Sequence, residues 1–210
     1  MGMFAFKPWI AASLLCGAMG VANATTMVHL STDQLVDASD LVVRGTVTEV
    51  WTEPDAQGRI WTRAQVEVLD VLKGDADAEA VVVDQPGGDW GGMHTTVYSV
   101  ARFSRGEDAV LFLEQSSDGR ITPVGMFQGK FTVQLDPYSQ VEVARQVLMP
   151  PNQRYDHRFL PLAAAPDRVT VDSLEAQVRD RVAAGWDGQP IPGASPDRLR
   201  RINRTQPGVK

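Results

Sequence analysis

The chain has 210 residues, with 20 basic and 26 acidic side chains and a formal net charge of −6. That balance argues against a general nucleic-acid binder, whose affinity rests on neutralising phosphates. One cysteine leaves no internal disulfide and no cysteine-ligated zinc, and the length suits one ordinary domain with appendages.

Residues 1–24 read as a removable export signal. Lys7 precedes an apolar segment from Ile10 to Val21, and Ala22-Asn23-Ala24 supplies a small-x-small cleavage site. The segment is short of the roughly 20 residues a membrane-spanning helix needs, and no later run is longer, so no membrane span is expected. Cleavage after Ala24 places the mature N-terminus at Thr25-Thr26, removes the lone Cys16, and predicts a secreted or periplasmic protein.

The mature chain opens with a capping box. Ser31 and Gln34 satisfy each other's backbone amides, and Leu30 staples onto Leu35, predicting a short helix through Ala38. Strand patterns then dominate. Leu41–Trp51 is rich in valine and threonine, with Gly45 marking a bulge or bend. After a turn at 53–58, Ile60, Thr62, Ala64, Val66 and Val68 alternate with Trp61, Arg63, Gln65 and Glu67. Further strands are expected at Ala80–Asp84, Thr95–Val100, Ala109–Glu114, Ile121–Val124, Lys130–Leu135 and Val141–Val147. Ser117-Asp118-Gly119 signals a tight hairpin, and residues 136–139 a type I turn.

Many short strands without intervening helices predict a mainly β, antiparallel barrel or sandwich. We place that domain at 25–148. A proline-rich connection and a helix packed on the barrel follow at 149–185. Thr170 caps this helix, Val171, Leu174, Val178 and Val182 form its stripe, and Gly185 ends it. Residues 186–210 are rich in proline, glycine and arginine and are expected to form a disordered tail.

The stretch Asp84-Gln85-Pro86-Gly87-Gly88-Asp89-Trp90-Gly91-Gly92-Met93-His94 is the strongest candidate site. It lacks the Gly-Lys-Ser/Thr ending of a phosphate loop. His94 could meet Asp84 and Asp89 around a metal, but carboxylates in glycine-rich turns more often bond local amides, so no metal is assigned. The chain has no Gly-x-Ser-x-Gly elbow and no paired histidines at helical spacing, and it reads as a non-enzymatic protein without a cofactor. Trp51 and Trp61 flank one turn. They read either as a cross-strand pair or as a platform for carbohydrate, which makes a carbohydrate- or cell-envelope-binding barrel the alternative function.

Four motifs, taken in order, carry a family resemblance. These are "HLSTDQLVDASDLVVRGTVTEV" (29–50), "QVEVLDVLKG" (65–74), "VVVDQPGG" (81–88) and "RGEDAVLFLE" (105–114). Together they resemble the tissue inhibitors of metalloproteinases and the related netrin modules. The resemblance implies an OB-fold-like antiparallel β-barrel with a short N-terminal helix, and a protein partner, with a metalloprotease as the most specific version. It also implies that the loop at Pro86–Gly92 lies beside the mature N-terminus, forming one contact ridge. Thr25, Thr26, Gly87, Gly88, Asp89, Trp90 and His94 are the partner-binding residues on this reading. Thr25 stands where that family has its zinc-chelating cysteine.

Overall fold

A computed structural model describes residues 28–75, 79–146, 168–194 and 198–200. The expected signal segment, its cleavage site and the contact residues Thr25 and Thr26 lie outside the described residues, as does the connection at 149–167.

The chain begins as the capping pattern requires. Helix α1 (Thr32–Ala38) follows Ser31, whose hydroxyl accepts from the Gln34 amide while the Gln34 side chain accepts from the Ser31 amide. Leu30 and Leu35 are both buried in one cluster, as the staple predicts.

Among the described residues ten strands follow, all paired antiparallel. They are β1 (Leu41–Pro54), β2 (Ile60–Lys73), β3 (Ala80–Pro86), β4 (Gly88–Trp90), β5 (Met93–Thr95), β6 (Asp108–Gln115), β7 (Ile121–Pro123), β8 (Lys130–Leu135), β9 (Glu142–Gln146) and β10 (Arg168–Thr170). Helix α2 (Val171–Ala184) closes the series. The main sheet runs β10-β9-β8-β6-β1-β2-β3, with β7 added beside β6, and β4 with β5 forms a separate two-stranded hairpin. The protein is thus mainly antiparallel β with a few helices. The sheet is not closed into a barrel: β3 and β10 end it without pairing each other, although β7 comes beside β3.

Strand β6 explains how the domain holds together. Ala109 through Leu113 are all fully buried, and alternate residues feed two cores. Val110 and Phe112 join a core beneath the helices with Leu35, Leu174 and Val178. Ala109, Leu111 and Leu113 join a second core with Val47, Val66 and Val83. A strand covered on both faces reads as a continuous apolar run, as this one does.

The alternation along β2 holds: Ile60, Ala64 and Val66 are buried and Glu67 is exposed. At Gly45 the register with β2 slips, leaving Leu69 unpaired as a bulge, so the expected irregularity is present. The two turns also form as expected. Gly119 adopts φ 85° in the β6–β7 hairpin, and Asp136 Oδ1 accepts from the Tyr138 and Ser139 amides. Those bonds, the Ser139 amide's first, bring the Asp136 carboxyl down to about 2.

Three expectations need correction. Thr95–Val100 is not a strand: β5 ends at Thr95, and the chain turns at Tyr98-Ser99, where Ser99 has a left-handed φ of 63°. Val182 is 40% exposed, because the apolar stripe of α2 leaves the core after Val178. The described part of the tail packs rather than extending into solvent. Ile191 is buried in the core beneath the helices, Trp186, Ala194 and Leu199 pack against that core, and the buried Arg198 bonds the Ala38 carbonyl and pairs with Asp40 and Glu114. Apolar contact and the α1 carbonyl end supply what composition alone did not reveal.

Lys73 caps the same helix end. Its ammonium donates to the Val36 and Ser39 carbonyls at 2.5 and 2.7 Å. Burial outweighs the pull of Asp37 and Asp40, bringing its pKa from 10.5 down to about 8.

Candidate functional site

The glycine-rich stretch forms a hairpin laid across one end of the sheet. Gly91 and Gly92 make its two-residue tip with φ 57° and 80°, the positive pair that a type I′ turn demands. Nothing lies near a side chain added at either position. The first two glycines serve a different purpose. A Cβ on Gly88 would stand 2.5 Å from Thr62 Oγ1 and 2.8 Å from Thr52 Cγ2, and one on Gly87 would stand 2.7 Å from the Thr95 carbonyl. Gly88 lets the hairpin backbone press against β1 and β2, and Gly87 lets it close on its own return strand at Thr95. The Thr62 hydroxyl then donates to the Gly87 carbonyl at 2.8 Å, fixing the hairpin's root.

Register divides the expected contact residues between the hairpin's two faces. Trp90 lies opposite Met93, and Asp89 opposite His94. Directly opposed residues share a face, and neighbours along a strand do not. Trp90 is 45% exposed and Met93 57%. On the other face Asp89 Oδ1 meets His94 Nδ1 at 2.5 Å, and His94 Nε2 meets Thr96 Oγ1 at 2.7 Å. Asp84, considered with them as a metal ligand, is instead bonded to Arg63 at 3.0 Å. His94 therefore has two hydrogen-bonding neighbours, both highly local.

After β5 the chain forms a strap at 96–107 that returns to β6. Lys130, on β8 and nearly fully buried, fastens it. Its ammonium donates to the Arg102 carbonyl, pairs with Glu107 Oε1 at 2.6 Å, and lies 4.7 Å from the centre of the Phe103 ring. Nothing in the local pattern around Lys130 announced this role. A lysine opening a strand, facing away from solvent, needed a long-range partner to become legible.

Hairpin and strap enclose a cleft of about 290 Å³. Gly87, Gly88, Asp89 and His94 border it, so four of the expected contact residues meet there, while Trp90 stands on the opposite face. Gln85 lines its floor and is only 4% exposed. The start of the described chain is nearby: Leu30 borders an adjoining cavity together with Gln85 and Pro86.

The two sheet tryptophans are not directly opposed. Trp51 faces Arg63, and Trp61 faces Glu53. Trp61 is already engaged, its indole N–H donating to Asp55 at 3.1 Å and its ring lying 4.2 Å beneath the Arg120 guanidinium. Asp55 gathers this corner: burial pushes its carboxyl up, but hydrogen bonds from the Arg59 amide and side chain, the Trp61 indole and the Gln57 amide outweigh burial and bring it to about 2. Among the described residues no helix is long and apolar enough to cross a membrane. No protein-family model matches the chain, and no curated protein matches it.

Proposed function

We propose that this is an exported, non-enzymatic interaction module that grips a protein partner with its glycine-rich hairpin. The observation that carries the reading is the hairpin's construction. Gly88 presses it against β1 and β2 and Gly87 bonds it to β2, while its tip holds Trp90 and Met93 partly in water, outside both hydrophobic cores. An aromatic side chain held out on a fixed hairpin adds little to folding, but it suits an interface, where tryptophan anchors dominate affinity.

Metalloprotease inhibition is the most specific version of this proposal. The resemblance to the inhibitor and netrin modules supports it, together with the β1-β2-β3 meander, β6 on the other flank of β1, and β7 beside β3. On the same reading the sheet is an opened OB-type barrel. The nearness of Leu30 to Pro86 agrees with a ridge built from the chain's start and this loop. The carbohydrate alternative draws less support, since Arg120 covers one face of Trp61.

A panel of zinc metalloproteases tests the specific version, with wild-type and Trp90→Ala proteins compared. Inhibition lost in the variant is the expected result. Affinity capture from the exported fraction tests the broader one. A partner held equally by wild type and Trp90→Ala would reject the hairpin as the contact.

A further inference from the structure

We propose that the cavity beneath the strap binds a small organic acid, with its apolar chain among Val97, Val100, Ala101 and Phe127 and its carboxylate on the Arg102 guanidinium. This site goes beyond the hairpin contact, since Trp90 borders neither this cavity nor the cleft beside it.

The cavity has a volume of about 350 Å³ and is bounded by residues 96–102, Phe127 and Lys130. That volume lies at the lower end of the range for small-molecule sites. Its apolar wall is set apart from the rest of the interior. Ala101 and Phe127 are buried, yet neither belongs to either hydrophobic core, and the partly buried Val97 and Val100 pack against neither. Protein interiors leave few voids wider than a water molecule, because side chains facing empty space forfeit their dispersion contacts. An apolar chain in the cavity restores those contacts.

Charge decides the other end of the ligand. Two cations and no acidic side chain line the cavity. Lys130 is committed, its ammonium paired with Glu107 Oε1 and donating to the Arg102 carbonyl. The Arg102 side chain is exposed and makes no hydrogen bond or ion pair with the described residues. Its main chain is nonetheless tied down through that carbonyl, which keeps the residue at the wall shared by this cavity and the cleft under the hairpin. A guanidinium presents a planar fork of donors that matches a carboxylate with two parallel hydrogen bonds. One unpaired cation suits one negative charge. An acid with an apolar chain therefore leaves neither its own charge nor the cavity wall without a counterpart.

Octanoate is the probe, titrated into isotopically labelled protein while the methyl resonances of Val97, Val100 and Ala101 are followed. A saturable shift is expected. Octanol carries the chain without the charge, and acetate the charge with almost no chain, so each should bind at least about tenfold more weakly. Arg102→Gln should weaken octanoate by at least about tenfold, the loss of one charge-assisted contact. The methyl resonances of the ligand-free variant should stay in place, which shows that the cavity still forms. Arg105→Gln removes an exposed arginine that does not border this cavity, and it should change nothing. No saturable response to octanoate, equal octanoate binding by wild type and Arg102→Gln, or equal losses from the two arginine variants would overturn the proposal. So would acetate or octanol binding as tightly as octanoate. The titration involves neither Trp90 nor a protein partner, so it succeeds or fails separately from the hairpin experiments.

Discussion

Arg181 grips Asp37 with two parallel hydrogen bonds, Nε to Oδ1 at 2.9 Å and Nη2 to Oδ2 at 2.6 Å. The pair joins α2 to α1 across 144 residues of sequence, and both side chains are largely buried. The Asp37 carboxylate raises the Arg181 pKa above its ordinary value. Removing one partner strands the other in a place without water. Arg181→Met should therefore cost about 3 kcal/mol in urea denaturation. Adding Asp37→Leu should recover most of that loss, because the second change removes the stranded charge. A double variant no better than the single would mean the ion pair is not the source of the effect.

The register of β2 gives a sharper contrast between neighbours. Val66 is fully buried in the second core, while Glu67, one residue on, is exposed. Val66→Asp should destabilise the protein by several kcal/mol, since its carboxylate has no partner in that core. Glu67→Gln should stay within about 0.5 kcal/mol. Thermal unfolding of the two variants reads the difference directly, and equal shifts would reject this register.

Lys73 predicts a rise in stability toward alkaline pH. Its ammonium releases a proton near pH 8 in the folded chain, against 10.5 for the free group. Between those values the unfolded chain binds more protons, so stability grows as pH rises through the window. The full gain is about 3 kcal/mol for a shift of this size, at the usual 1.4 kcal/mol per pH unit. Urea midpoints measured from pH 7.5 to 10 should climb for the wild type. The climb should flatten in Lys73→Met, and an unchanged slope would assign it to other groups.

What could be read from the sequence was local. Ser31 and Gln34 sit three residues apart and need only each other, so the start of α1 was visible. Gly119 and the Asp136 turn are equally self-contained, and the alternation through Val66 required only one wet and one dry face. The stretch that forms the hairpin was legible as a candidate site because it concentrates glycine around an aromatic residue. Its division into two faces was not, since that depends on Trp90 pairing with Met93 rather than with another neighbour. Lys130 reaching Arg102, Arg198 reaching Ala38, and the burial of Gln85 all depend on tertiary approach. No spacing rule encodes such meetings. The open sheet eluded sequence reading for the same reason: strands announce themselves, but the pairing of distant edges does not.

The glycines of the hairpin predict two different outcomes for one kind of substitution. Gly88 has φ 132°, and a methyl group there would collide with Thr62 Oγ1 and Thr52 Cγ2. Gly88→Ala must shift the hairpin off the sheet, at a cost of about 1–3 kcal/mol for backbone strain alone. Gly91 has φ 57° and open space around it, a conformation that asparagine tolerates. Gly91→Asn should change the melting temperature little. Hydrogen exchange should show the Gly88→Ala hairpin opening faster, with the amides of β4 and β5 losing protection while β6 retains its own. Partner binding should fall with the hairpin's order, because Trp90 and the cleft are both placed by that root. If Gly88→Ala leaves exchange in the hairpin unchanged, the close approach to Thr52 and Thr62 does not fix it. Should exchange rise while binding holds, the partner contacts some other part of the molecule.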